Sequence, residues 1–308
     1  MWTLLSGIFL GWGLGSNDSA NIFGTGVAAN IIKYRTAIIL FSIFVLMGAL
    51  LEGPKCFATV GMFANLSTTT AFGAALAAGI TVALMSYLSL PVSTSHAIIG
   101  GLLGIGIVSG FADFGKLYKV IICWILTPIG AMIVSIVLYK VLGIFFERVI
   151  LDLRLRSFFL TGGLFVAGCY GAYALGANNV ANVTGVYVGS GLLTPLGASA
   201  IGGLSIASGV LTYSRKVMRT IGMRIVPMDA YSAVVSTLSQ AITIHLFTQV
   251  GVPVSASQAI VGAIVGVGII KDVKTVSKRM LAEIGIGWIS TPLLSGLLSY
   301  SIMRVFRG

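Results

Sequence analysis

The feature that most limits what this chain can become is the recurrence of apolar runs of about eighteen or more residues, which leave few places for charge between them. About 20 such residues cross a bilayer as a helix. In hydrocarbon, every backbone N–H and C=O must find its partner within a helix or a closed barrel. The runs lack the period-two alternation of barrel strands, so the sequence predicts an all-α polytopic membrane protein. Only 9% of the 308 residues are charged, against roughly 25% in a soluble domain. The 40 glycines fit helices whose backbones approach closely.

Polar residues inside such runs are expensive in lipid and mark a functional site by default. One stretch of this kind is Gly15-Ser16-Asn17-Asp18-Ser19-Ala20-Asn21, and 161 residues later the chain writes Gly176-Ala177-Asn178-Asn179-Val180-Ala181-Asn182. Other segments recur in the same order. Gly48 and Lys55 match Gly209 and Lys216, Leu90–Gly100 matches Val252–Gly262, and Trp124-Ile125-Leu126-Thr127-Pro128 matches Trp288-Ile289-Ser290-Thr291-Pro292. The offset drifts only from 161 to 164, which predicts a duplication: a first repeat over 1–147, a charged connector over 148–157 and a second repeat over 158–308.

The first apolar stretch, residues 3–31, is longer than one straight crossing needs. That length predicts interrupted first helices in each repeat, with the polar signature at an unwound middle. Residues 1–14 lack the basic start of a cleaved leader and read as part of the first helix. Residues 56–69, with Asn65 and a Ser/Thr cluster, match no element clearly. The junction Ser89-Leu90-Pro91 carries no charge, so it predicts a re-entrant type of helical hairpin whose tip, Pro91 to His96, lies within the protein. Val252 to Gln258 is its partner.

The net charge of +11 follows the positive-inside rule and gives no reason to invoke nucleic acid. With the N-terminus outside, thirteen of the 19 basic residues fall on inner loops: Lys33, Arg35, Arg148, Arg154, Arg156, Arg215, Lys216, Arg219, Arg224, Lys271, Lys274, Lys278 and Arg279. Five remain outside and Lys140 lies inside a helix. Lys55 is then outside where its match Lys216 is inside, so the repeats are predicted to be inverted. Inverted repeats with broken helices and polar tips are the build of a secondary transporter. Cys56, Cys123 and Cys169 have no metal-ligand spacing and read as packing residues.

The paired Gly-x-Asn-Asp/Asn-x-Ala-Asn stretches and the paired Pro-Val-Ser-x-Ser tips resemble the inorganic phosphate transporter (PiT) family over nearly the whole chain. The resemblance implies a cation-coupled oxyanion carrier in the cell membrane, usually a sodium-dependent phosphate symporter, assembled as a homodimer with a complete site in each subunit. It also implies Asp at the position of Asn179. That departure leaves open the cation number and the choice between phosphate and sulfate.

The residues themselves support a carrier of this class. Helix N-termini offer unpaired N–H groups and the positive end of a dipole, a seat for an oxyanion. Ser93 and Ser255 are expected to cap the second arm of each hairpin, with Thr94, Ser95, Ala256, Ser257, Gln258, Asn17 and Asn178 completing a substrate site. Asp18, the sole carboxylate of the two signatures, with Asn21 three residues on, is expected to form an oxygen-rich seat suited to sodium, its other reading being the N-cap of the second half-helix. Asn179 and Asn182 hold the equivalent places in the second half. His96, matched by Gln258, is a candidate coupling residue whose other reading is plain hydrogen bonding. His245 reads as packing, Glu52–Lys55 and Glu283–Arg279 as boundary ion pairs, and Asp229 as an interfacial charge or part of an inner gate. No cofactor is expected beyond sodium as coupling ion. The alternatives are a sulfate or proton-coupled permease and a passive anion channel. An intramembrane hydrolase is disfavoured, because no Ser has a His and an acid at workable spacing.

Overall fold

The computed structural model describes residues 2–61, 66–88, 92–110, 114–149, 152–224, 229–271 and 278–307. Among them eleven helices and no strands occur: α1 (Leu4–Ala28), α2 (Tyr34–Glu52), α3 (Pro54–Gly61), α4 (Thr68–Tyr87), α5 (Thr94–Ser109), α6 (Phe114–Val149), α7 (Leu153–Gly189), α8 (Pro195–Arg224), α9 (Ala230–Gln249), α10 (Ala256–Lys271) and α11 (Lys278–Arg307). Six of them contain stretches long and apolar enough to cross a membrane, on α2, α4, α6, α7, α8 and α11. The all-helical membrane architecture predicted from the apolar runs is therefore observed.

The outward faces are those of a protein solvated by lipid. On α6, Ile121, Ile125, Ile129, Ile133, Val137 and Val141 recur every fourth residue and are all exposed, and on α2 so are Ile39, Ile43, Met47 and Leu51. A spacing of four keeps each row on one helix face. Such ridges are unfavourable in water and suit a bilayer.

The interior is built on α1 and α7. Helix α1 packs mainly on α8, and α7 on α2; α5 packs on α11, and α10 on α6. Each contact of one half thus has a counterpart that swaps the halves. Glycine makes two of these seams possible. A Cβ on Gly15 would run into the Ile206 carbonyl and one on Gly209 into the Trp12 carbonyl, while Gly176 and Gly48 stand in the same relation to the Val45 and Tyr173 carbonyls. Backbones this close maximise dispersion contact where no hydrophobic drive separates protein from lipid.

The predicted interruption of the first helices is not found. Both α1 and α7 run unbroken through their polar signatures. The reason is local satisfaction. Asn21 Nδ2 bonds Asp18 Oδ1 one turn back at 3.2 Å, Asn182 Nδ2 bonds Asn179 Oδ1 at 2.8 Å, and Ser16 bonds the Gly13 carbonyl at 2.8 Å. The signature side chains need no unwound backbone to find partners. The extra length of α7 comes from the connector, much of which is helical: Asp152 accepts from the Arg154 and Leu155 amides and starts the helix there.

Helices α5 and α10 have 16 residues each, about 24 Å at 1.5 Å per residue and short of a hydrocarbon core of roughly 30 Å. Each follows a 20-residue helix, α4 or α9, so each pair makes a hairpin with one arm too short to cross. The Ser89-Leu90-Pro91 junction and Asn65 lie outside the described residues, as do the side chains of Glu283 and Arg279.

Candidate functional site

The two hairpin tips meet. Ser95 Oγ donates to the Val254 carbonyl at 2.9 Å, and Ser257 Oγ donates to the Val92 carbonyl at 3.3 Å. Ser95 and Ser257 are matched positions, as are Val92 and Val254, so each tip gives the other the same bond. Ser93 Oγ accepts from the His96 amide at 3.3 Å and Ser255 Oγ from the Gln258 amide at 3.2 Å. Both serines are thus helix caps as the sequence predicted, and the N-termini of α5 and α10 face one junction. Ser255 Oγ also lies 2.9 Å from Ser257 Oγ.

The second polar signature bonds directly to this junction, and the first bonds to α4, the helix that leads to the first tip. Asn17 Nδ2 donates to Ser86 Oγ on α4 at 2.9 Å; its match Asn178 donates to Thr248 Oγ1 on α9 at 3.1 Å. Asn178 goes further, with Nδ2 on the Val252 carbonyl at 3.1 Å and Oδ1 accepting the Val254 amide at 2.7 Å. One carboxamide therefore reads the backbone of the second tip directly. Ser95 joins the second signature: its Oγ accepts from Asn182 Nδ2 at 2.8 Å, and Asn179 Oδ1, 3.3 Å away, shares the hydroxyl's one proton with the Val254 carbonyl. Ala256, at the start of α10, takes part through its carbonyl, which accepts from Gln240 Nε2 at 3.2 Å.

None of Asn17, Asp18, Asn21, Ser93, Thr94, Ser95, His96, Asn178, Asn179, Asn182, Ser255, Ser257 and Gln258 is more than 7% exposed. Several of their polar atoms have no protein partner among the described residues: Thr94 Oγ1, His96 Nε2, Asn179 Nδ2, Asn182 Oδ1 and Gln258 Oε1, with Ser19 Oγ and Gln240 Oε1 nearby in sequence or contact. Buried polar groups are nearly always paired. A concentration of orphaned donors and acceptors around two converging helix N-termini suits a small, multiply hydrogen-bonded ligand.

His96 is fixed from outside this junction. A proline cannot donate to the carbonyl four residues back, so Pro292 in α11 frees the Trp288 carbonyl. His96 Nδ1 lies 2.9 Å from that oxygen and must donate to it. The ring also packs on Trp124, with centroids 3.8 Å apart. His96 and Gln258 line one cavity of about 640 Å³ with Trp124, Trp288, Pro128 and Pro292. The hydrogen-bonding reading of His96 accounts for its Nδ1.

A second polar cluster binds α2, α7 and α9 together. Glu52 accepts from Lys55 Nζ at 2.7 Å, Gln249 Nε2 at 2.7 Å and Tyr173 Oη at 2.6 Å, and lies 3.2 Å from His245 Nε2. Tyr170 Oη is 2.7 Å from His245 Nδ1. The expected Glu52–Lys55 pair is thus part of a larger network, and His245 is satisfied through polar bridges. At the matched place in the other half stand Trp12 and Tyr213, rings 5.4 Å apart. Asp229 caps α9 through the Ser232 amide at 2.7 Å and pairs with Lys271 of α10.

Sequence reasoning missed Ser86, Thr248 and Gln240. Ser86 and Thr248 are related by the same offset of 162 as the hairpin tips, a signal available from the repeat. Gln240 has Ala78 at its matched position, so duplication could not reveal it.

Comparison with known proteins places this arrangement. A family described as the phosphate transporter family matches residues 14–299. The chain belongs to the phosphate transporter family. Among its relatives, a Methanocaldococcus jannaschii protein provisionally named a phosphate permease is 30% identical over 98% of this chain and 96% of its own. A Pyrococcus furiosus protein of the same provisional name is 27% identical over 98% and 95%. A solved structure titled "The sodium-dependent phosphate transporter" is similar in fold, with a TM-score of 0.86, 21% identity and coverage of 100% and 99%. Membership of the phosphate transporter family makes this chain a multi-pass membrane transporter and not an enzyme. The buried polar junction gathers hydrogen-bond donors at two helix N-termini.

Proposed function

We propose that this member of the phosphate transporter family is a sodium-coupled phosphate symporter that works by alternating access. The reading rests on one observation above the others: the reciprocal bonds of Ser95 and Ser257, which hold two helix N-termini together beside the buried signatures. Backbone N–H groups and hydroxyls at such ends stabilise a tetrahedral anion without a fixed cation, and the absence of Arg keeps release feasible. Asp18 supplies the negative charge of the first signature, and a monovalent cation there offsets its charge and that of the anion. Coupling follows, because each ion lowers the cost of seating the other.

Alternating access is supported by the exchange of equivalent contacts between residues 1–147 and 158–308. Two halves of like build, inverted in the membrane, can rock about one site and open it to each side in turn. The deciding experiment is labelled phosphate uptake into proteoliposomes under an inward sodium gradient, repeated with choline and with sulfate as competing anion. Uptake above equilibrium in sodium, lost in choline, is expected. Equal rates in both would reject sodium coupling; sulfate flux without phosphate flux would reassign the substrate, and mere equilibration would mean a channel.

A further inference from the structure

The two signatures hold matched residues in matched geometry, and their hydrogen-bond balance differs. In the first, Asp18 Oδ1 accepts one bond, from Asn21 Nδ2. A carboxylate has about four lone-pair sites, and one of Asp18's is taken by a side chain among the described residues. In the second, Asn179 Oδ1 accepts from Asn182 Nδ2 and lies 3.3 Å from Ser95 Oγ, whose one proton it shares with the Val254 carbonyl at 2.9 Å. A carboxamide oxygen has two lone pairs and no net charge; one is held by Asn182 and the other faces the Ser95 hydroxyl. Asn178 Oδ1 is likewise occupied by the Val254 amide.

The rest of that second seat is also unsuited to a cation. The unpartnered group of Asn179 is its Nδ2, a donor, which repels a positive ion; Asn182 Oδ1 is the one side-chain oxygen of the three asparagines left without a partner. Hard cations take several oxygen ligands, usually with at least one charged. The difference traces to the tips as well. Ser95 reaches into the second signature, whereas its match Ser257 is engaged by Ser255 and the Val92 carbonyl.

We infer that each chain seats a single coupling cation, at Asp18, and that the matched Asn179–Asn182–Ser95 cluster is closed by its own hydrogen bonds and serves to position the first hairpin tip. The inference rests on the cation-coupled reading above and assigns its stoichiometry. Asn179→Asp changes the balance in a defined way. Its Oδ1 can keep the bond from Asn182, while Oδ2 replaces an N–H donor with a charged acceptor, and a second seat opens.

The test is equilibrium binding of radiolabelled sodium to the purified full chain, which counts sites without requiring transport. One saturable site is expected in the native protein, none in Asp18→Asn and two in Asn179→Asp. Two sites in the native chain, or a native site that survives Asp18→Asn, would overturn the inference; the native count decides even where Asn179→Asp does not fold. In parallel, phosphate accumulation under a tenfold sodium gradient at zero membrane potential is expected to reach about tenfold, since each coupled ion contributes one power of its gradient. About a hundredfold would indicate two ions and reject the single seat. One bound sodium with no phosphate flux would instead count against phosphate as the substrate and leave the single seat standing.

Discussion

Ser95 Oγ lies 2.8 Å from Asn182 Nδ2, which joins the tip of the first hairpin to the polar signature of the second half. The same hydroxyl donates to the second tip at the Val254 carbonyl. One side chain therefore ties three parts of the junction, and movement of either tip must break bonds at Ser95.

Ser95→Ala is the direct probe of that tie. It leaves Asn182 Nδ2 and the Val254 carbonyl each short of one partner in a buried site, a loss of about 1–3 kcal/mol. Half-saturation for phosphate is expected to rise by roughly tenfold, at about 1.4 kcal/mol per decade. Uptake kinetics in proteoliposomes check this, and an unchanged half-saturation would reduce Ser95 to a packing residue.

Asp18→Asn preserves shape and the bond from Asn21 while removing the only carboxylate of the two signatures. Sodium-dependent uptake is expected to vanish, with helix content and elution on size exclusion unchanged. Full sodium dependence in this variant would place the cation elsewhere.

Glycine substitutions are expected to diverge by position. In Gly15→Ala the new Cβ meets the Ile206 carbonyl, backbone that cannot rotate away, and overpacking of this kind costs about 1–3 kcal/mol. Gly162→Ala on α7 meets nothing within 4 Å and replaces a poor helix former with the best, a gain of up to about 1 kcal/mol. Thermal unfolding in detergent should fall for the first variant and hold or rise for the second.

Asp229 gives a pH prediction. Partial burial pushes its carboxyl up, but the bonds from Lys271 and the Ser232 amide outweigh this and hold it below the ordinary aspartate value of 3.8. A carboxyl depressed in the folded state adds stability that is fully present above the unfolded value and is lost as pH falls through the folded one. The tie between α9 and α10 should therefore weaken only in strong acid. Asp229→Asn is expected to flatten that part of the stability-versus-pH curve, measured by unfolding between about pH 2 and 6.

Much of the site was legible because the chain spells it twice. Asn17 and Asn178, Ser93 and Ser255, and Ser95 and Ser257 were found by repetition in an apolar background; all but Asn17 lie at the junction, and Asn17 bonds Ser86 at the end of α4. The interruption expected at Asp18 and Asn179 was not found, because bonds such as Asn21 to Asp18 depend on side-chain reach along a helix face, which spacing permits but does not decide. Gln240, and Tyr173, His245 and Gln249 among the partners of Glu52, had no matched residue of like chemistry in the other half. They were invisible until packing brought α2, α7 and α9 together.

The sequence by itself determined that this is a helical membrane protein in two similar halves, since apolar length and uncompensated polar cost are properties of single segments in lipid. It also determined which polar residues were worth their burial. Tertiary structure decided which oxygens remain free. Asp18 and Asn179 are matched letters differing by one atom, and only the fold brings Ser95 to Asn179 while Ser257 is held by Ser255 and the Val92 carbonyl.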